Sequence, residues 1–140
     1  MRYLGLDLGT TTCGVSITDK TNTIVSPLKL IKFAREDYDC LLTTILNIIS
    51  EYNIDVVILG MPKNMDNTLG FAAQRSLNFK KLLESKDIQV KLQDERLSSV
   101  EAINILKNNN VKKINKQNKT DLVAACIILD TYLKKVHYDK

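Results

Sequence analysis

Apolar and polar residues alternate along the first third of the chain with the short period that is typical of β-strands. Three segments carry this pattern: Tyr3–Leu8, Cys13–Thr18 and Thr23–Ile31. The polar stretch Asp19–Asn22 predicts a turn between the second and third strands. Connections this short predict antiparallel neighbours. Because Pro27 has no backbone N–H to donate, the third strand is expected at an edge of the sheet.

The pattern then changes to helices that alternate with strands. Apolar residues recur at helical spacing over Asp37–Tyr52, and the continuous apolar run Asp55–Gly60 predicts a buried parallel strand. Further along, the pattern predicts a helix over Gly70–Ser85, a strand over Ile88–Gln93, a helix from Ser98 to about Leu106 and a last helix over Thr120–Lys135. The stretch Lys107–Lys119, rich in Asn and Lys, predicts a mobile loop. This order predicts an α/β fold with helices on both faces of one sheet.

Composition narrows the class without identifying the function. A chain of 140 residues predicts a single domain, 1–140, and 44% hydrophobic with 26% charged residues is ordinary for a soluble protein. A net charge of +4 permits an anionic partner. Three scattered cysteines, Cys13, Cys40 and Cys126, argue against a disulfide framework or a zinc site. With no leader pattern and no apolar run long enough to span a bilayer, a cytoplasmic protein is expected.

One carboxylate, Asp7, lies near the end of the first predicted strand, between Gly5 and Gly9. An ionised carboxylate that loses water needs a cation or hydrogen-bond donors in compensation. The glycines leave room for a metal ion or a phosphate group. Metal ligation and phosphate binding in a nucleotide site both use this arrangement, and the ordinary alternative is an aspartate that caps a turn.

Two further acids are candidates to join Asp7. Glu95 follows a predicted strand, so it lies at the same carboxyl edge as Asp7 if the two strands run parallel. A surface ion pair between Glu95 and Arg96 is the alternative, although adjacent residues of a strand point to opposite sides. Asp121 begins the last predicted helix, where capping and ligation are equally compatible with the pattern. Three carboxylates without His or Cys suit Mg²⁺ or Mn²⁺, ions that promote hydrolysis of phosphodiesters.

Polar and basic residues near these acids are candidate contacts for a polyanion. One group follows the central strand in the polar stretch Gly60–Thr68, another lies in the predicted basic loop, and an arginine adjoins Glu95. An ordinary strand-to-helix loop and a solvated loop are the alternatives. The candidate nucleic-acid-binding residues are Lys63, Asn64, Arg96, Lys112, Lys113 and Lys116.

Four segments occur together in a recognisable order and spacing: Gly5–Thr10, Leu59–Asp66, Asp94–Ala102 and Asp121–Leu129. In these segments, and over nearly its whole length, the chain resembles the pre-16S ribosomal RNA nuclease family, also described as Holliday junction resolvases. The resemblance implies a ribonuclease H-like fold with a five-stranded mixed sheet in the order 3-2-1-4-5, flanked by helices. It also implies metal-dependent cleavage by the acids that match the family's own, Asp7, Glu95 and Asp121.

One departure from the family concerns the residues after Gly9-Thr10. The family usually has a Lys-Arg pair where this chain has Thr11-Thr12, so a basic contribution to substrate affinity is expected to be missing there. The resemblance as a whole implies a nuclease that processes the 5′ end of pre-16S rRNA, with resolution of Holliday junctions as the alternative. A non-catalytic RNA-binding module is a second alternative.

The expected partner is nucleic acid, with structured RNA favoured over branched DNA. Each predicted helix shows a single apolar stripe, which the sheet already needs, so a monomer is favoured over a weak dimer. An actin-like or chaperone-like ATPase is a rival because Asp7–Thr11 resembles its first phosphate loop. Such ATPases bind nucleotide between two lobes, whereas 140 residues supply one.

Overall fold

A computed structural model of the protein describes residues 2–22, 24–62, 71–95 and 116–138. Strands and helices follow one another in the predicted order. The strands are β1 (Tyr3–Leu8), β2 (Thr12–Thr18), β3 (Val25–Lys32), β4 (Val56–Pro62) and β5 (Gln89–Glu95). The helices of the described ranges are α1 (Tyr38–Tyr52), α2 (Phe71–Glu84) and α3 (Lys116–Tyr138). The helix predicted from Ser98 to Leu106 falls outside the described residues.

The five strands form one mixed sheet in the order β3-β2-β1-β4-β5. β2 runs antiparallel to both β1 and β3, whereas β4 runs parallel to both β1 and β5. This is the order that the resemblance implied. Pro27 lies in the edge strand β3, as its missing donor predicted, opposite Ser16, where the β2–β3 register shifts.

The two faces of the sheet are covered by different helices. On one face, Leu4, Leu6 and Leu8 of β1 belong to a large apolar core that includes buried residues of α1 and α2. On the other face, Val56 and Ile58 of β4 pack with Ile128 and Leu129 of α3. The prediction that helices cover both faces is therefore confirmed, and β1 lies in the middle of the sheet with a helix layer on each side.

Arg2 fastens the amino edge of the sheet, where β1 and β4 begin. Its Nε donates to the Thr18 carbonyl at 2.9 Å and its Nη1 to the Tyr52 carbonyl at 3.2 Å. Its backbone N–H donates to an Asp55 carboxylate oxygen at 2.7 Å, and its guanidinium lies over the Tyr52 ring. The Arg2 side chain thus joins the end of β2 to the end of α1, and the Arg2 backbone N–H adds a bond to Asp55, just before β4.

α3 differs from its prediction in two respects. It begins at Lys116, so Lys116–Lys119 are helical and the loop predicted there was wrong for these four residues. Lys and Gln are good helix formers, and adding a residue to an existing helix is far easier than starting one. The single apolar stripe was also wrong for α3, because its buried residues lie around most of its circumference: Leu122, Val123, Ala125, Cys126, Ile127, Ile128 and Leu129.

β4 and β5 both extend two residues beyond their predicted ends. Met61 pairs with Asp94 and Pro62 pairs with Glu95, so the ladder continues after the apolar residues stop. Glu95 is therefore the last residue of β5 and not a loop residue. In the part of the chain that the structure describes, no helix is long and apolar enough to cross a membrane.

Candidate functional site

Asp7 is a half-buried residue near the carboxyl end of β1, and its neighbours across the sheet are glycines. On one side it pairs with Gly14 of β2. On the other side Leu6 pairs with Leu59, which puts Gly60 of β4 next to Asp7. Neither neighbouring strand therefore places a side chain beside the carboxylate. An oxygen donor that is flanked by glycines in this way fits a hard cation such as Mg²⁺ or Mn²⁺.

The turn that follows Asp7 is held by backbone hydrogen bonds. Gly9 N–H donates to the Thr12 carbonyl at 2.8 Å and closes the β1–β2 connection. The Thr10 and Thr11 carbonyls accept from the N–H groups of Glu36 and Phe33, each at 2.9 Å. The connection between β3 and α1 therefore braces the turn, and the Thr11-Thr12 departure from the family lies in this braced segment.

Lys32 is a basic residue near the site that the sequence did not single out. It is exposed and lies directly opposite Thr12 in the β2–β3 ladder. The pairing brings a lysine next to the position where the family usually has a basic residue. Only the strand register reveals this neighbour, because Thr12 and Lys32 are far apart in the sequence.

β5 contributes two positions to the same edge of the sheet. Gln93 pairs with Gly60 and is therefore level with Asp7, with one glycine between them. Glu95 lies two residues further along, paired with Pro62. β1 and β5 both run parallel to β4, so the backbone places positions 7 and 95 at the same carboxyl edge, as expected. Gln93, which is half-buried, was missed because glutamine carries no catalytic signature in a sequence.

α3 crosses this edge at its amino-terminal end. The Tyr132 ring contacts the Tyr3 ring, with centroids 5.8 Å apart, whereas Ala125 and Leu129 lie against Gly5. α3 therefore runs antiparallel to β1. Residue 121 is one turn before Ala125, about 6 Å along the helix, and Asp7 is two residues after Gly5, about 7 Å along the strand. From these rises we infer that the backbone of position 121 is level with Asp7.

The structure describes only some of the remaining predicted site residues. Lys63, Asn64, Arg96, Lys112 and Lys113 lie outside the described residues, and Lys116 is the first residue of α3. For Glu95 and Asp121 the structure describes the backbone. Among the side chains that it describes, no three Asp, Glu, His or Cys residues form a metal-binding group.

The thiol near this end of α3 is unsuited to catalysis. Burial, with a smaller contribution from the nearby charge of Asp130, raises the pKa of Cys126 to about 12. The thiolate is the nucleophilic and metal-binding form of cysteine, so Cys126 is inert at neutral pH.

Comparisons with known proteins show the family to which the chain belongs. The family model described as "RuvX: Holliday junction resolvase" matches residues 1–135. A protein of Onion yellows phytoplasma (strain OY-M), named "Putative pre-16S rRNA nuclease", is 47% identical over 141 residues, covering 98% of this chain and 93% of its own. A protein of the same name from Aster yellows witches'-broom phytoplasma (strain AYWB) is 48% identical, with the same coverage.

Among solved structures, RuvC of Thermus thermophilus is similar with a TM-score of 0.66 and 11% sequence identity. The match covers 98% of this chain and 97% of that one, so the two proteins share their fold from end to end. The chain therefore belongs to the RuvX family of nucleases and has the ribonuclease H-like fold that the resemblance implied.

Proposed function

We propose that this protein is a metal-dependent endonuclease that cleaves a phosphodiester in structured RNA, the precursor of 16S rRNA. The observation that carries the proposal is the register of the sheet. β1 and β5 end at one edge, and the amino-terminal end of α3 reaches the same level. Three acids, Asp7, Glu95 and Asp121, occupy these three positions.

These residues fit Mg²⁺ or Mn²⁺ as the resident ion. The donor set is made of carboxylates, which both ions prefer, and the glycines beside Asp7 leave space for the ion and its waters. Bound there, such an ion would generate a nucleophile from water at neutral pH and neutralise charge at the scissile phosphate. Asp7, Glu95 and Asp121 would hold it.

The surroundings of the three acids would hold Asp7 in place and bind the substrate. Asp7 lies on the central strand, with a packed layer on either side, so the backbone that carries its carboxylate is held in place. Preorganised ligands of this kind do not have to reorganise during the reaction. Lys32, together with Lys63, Asn64, Arg96, Lys112, Lys113 and Lys116, would bind phosphates on either side of the scissile bond.

RNA is favoured over a four-way DNA junction because a resolvase cuts two strands symmetrically and needs a two-fold dimer. Stable dimers bury a contiguous apolar surface. In the described part of the chain, the exposed large apolar side chains are Ile24 and Leu92. Ile24 precedes β3 and Leu92 lies in β5, at opposite edges of the sheet, so they do not form one patch. A monomer that cuts one strand fits this surface better.

The decisive experiment offers both substrates to the purified protein. A precursor transcript with the 5′ flank of 16S rRNA and a four-way DNA junction are incubated with Mg²⁺, with Mn²⁺ or with EDTA, while sedimentation measures the oligomeric state. We expect a monomer that cleaves the transcript in both ions and stops in EDTA. A dimer that cuts the junction symmetrically and leaves the transcript intact would assign the family's resolvase function instead. Tight RNA binding without cleavage in either ion would indicate a non-catalytic module.

A further inference from the structure

α3 approaches the sheet closely at Gly5. A methyl group at this position would meet the Leu129 Cβ at 2.9 Å and the Ala125 carbonyl oxygen at 3.0 Å, and it would overlap the Ser16 hydroxyl. The Leu129 Cβ is fixed to the helix backbone and cannot rotate away, so a side chain at residue 5 would push the helix outward by a few tenths of an ångström. The absence of a side chain at Gly5 therefore sets how near α3 lies to β1.

Ser16 adds a directional bond at the same point. It lies opposite Gly5 on β2, is fully buried, and donates its hydroxyl to the Ala125 carbonyl at 2.7 Å. Apolar contacts resist separation but tolerate sliding, whereas a hydrogen bond weakens steeply when its angle or length changes. Ser16 therefore fixes the position of α3 along the sheet, while Gly5 fixes the distance between α3 and the sheet.

Both constraints act one helical turn from position 121. A helix transmits a displacement along its axis because its backbone bonds make it rigid, and four residues span about 6 Å. A shift of α3 at Ala125 is therefore passed to Asp121, which is level with Asp7. Metal affinity is sensitive to such shifts, since groups that hold ligands in place commonly change it by about 10–100-fold when they are removed.

We propose that Ser16 and Gly5 are positioning residues. Together they fix the distance of α3 from the sheet and its position along the sheet, and so set the distance between Asp121 and Asp7. The proposal rests on the proposed function, because that distance matters only if both acids bind one cation. Neither residue touches the ion or the substrate in this account.

The test compares variants that destabilise the fold from opposite faces of the sheet. Ser16→Ala removes the hydroxyl that bonds α3, and Gly5→Ala inserts the methyl group that displaces it. Val15→Ala is the matched control, because Val15 is the fully buried neighbour of Ser16 on the face that packs against α1 and α2. For each variant, Mn²⁺ binding is titrated by electron paramagnetic resonance, and thermal unfolding and RNA cleavage are measured alongside.

We expect Ser16→Ala to raise the Mn²⁺ concentration at half-saturation by about tenfold or more, and Gly5→Ala to raise it further. Val15→Ala should unfold at a lower temperature yet bind Mn²⁺ as the wild type does. If Ser16→Ala bound Mn²⁺ like the control, the two residues would be structural only, and the nuclease assignment would be unaffected. If the wild type bound no Mn²⁺ at all, both this proposal and the proposed function would fail. Should Gly5→Ala not fold, Ser16→Ala still decides the question.

Discussion

The two faces of β1 have different roles in the protein. Its even-numbered residues, Leu4, Leu6 and Leu8, are buried under α1 and α2 and belong to the larger apolar core. Its odd-numbered residues face α3 and include Gly5, against which the helix packs, and the half-buried Asp7. Because successive side chains of a strand point to opposite faces, a single strand of six residues carries both functions without mixing them.

The difference between the faces lies in side-chain size as well as in polarity. Large aliphatic side chains on the first face stabilise the fold through the area that they remove from water. The second face has small residues at its centre, Gly5 and Ser16 on the sheet and Ala125 on the helix, and these bring α3 close to the strand. The first face should therefore control stability, and the second should control where the ligands lie.

The largest expected effect is on the functional face. Asp7→Asn should lower the cleavage rate by at least about a hundredfold, since the ion that Asp7 is proposed to hold would supply several kcal/mol to the transition state. The amide has nearly the same shape and relieves repulsion between acids, so the unfolding temperature should hold or rise. Cleavage kinetics and calorimetry measure the two quantities. The control is Asp130→Asn, an α3 aspartate paired with Lys134, which should cleave normally. Wild-type rates in Asp7→Asn would refute the mechanism.

Leu6, which is adjacent to Asp7 on the opposite face of β1, should affect the stability of the fold and not the cleavage rate. Leu6→Ala opens a cavity beneath α1 and α2 and should lower the free energy of unfolding by about 2–5 kcal/mol. Cleavage per folded molecule should be unchanged at temperatures well below unfolding. Urea titration gives the stability, and active-site titration normalises the rate. A rate that falls in proportion to the lost stability, even where the variant is fully folded, would break the division between the faces.

The basic residues before the site should affect affinity and not the chemical step. Replacing Lys112, Lys113 and Lys116 by Ala should reduce the slope of log affinity against log salt by at most about one unit for each lost phosphate contact. The rate at saturating RNA should remain that of the wild type. Filter binding at several salt concentrations measures the slope. Lys80, Lys81 and Lys86, near the carboxyl end of α2 and after it, provide a matched control triple. An unchanged slope would mean that these three lysines do not bind phosphate.

The smallest effect comes from the buried thiol on α3. Because burial raises the pKa of Cys126 to about 12, the unfolded chain releases this proton at a lower pH than the folded chain does. The contribution of the buried Cys126 thiol to the free energy of unfolding is therefore complete below about pH 9 and declines as the pH rises towards 12. Between pH 8 and pH 10 the wild type should lose about 1 kcal/mol more than Cys126→Ala does. Parallel pH dependences of the two proteins would show that the thiol is not desolvated.

The strands and the helix starts were predictable where local pattern determines them. β1 has its predicted bounds, since alternation and the following glycine both mark its end. α1 begins after Asp37, whose carboxylate accepts from the Cys40 N–H and caps the helix, as a sequence can suggest. The start of α3 was missed, because Lys116–Lys119 contain no apolar residue to reveal the helical period.

The candidate site was predictable in its acids but not in its surroundings. An aspartate between glycines and an acid after a strand are visible in one segment at a time. The neighbours of Asp7 in the sheet, Gly14 and Gly60, are known only once the register is known. The contact of Ser16 with Ala125 joins residues 109 positions apart, and no local pattern predicts how near a helix lies to a strand.

The central claim is that positions 7 and 121 hold one cation between the sheet and α3, and metal-induced stabilisation tests it most directly. Mn²⁺ is added to the wild type, Asp7→Asn, Asp121→Asn and the double variant, and the rise in unfolding temperature is recorded for each, because an ion that binds the folded state stabilises it. The account predicts a rise in the wild type that is strongly reduced in each single variant and no further reduced in the double variant. Single variants that keep the full rise, or losses that simply add, would contradict a shared site.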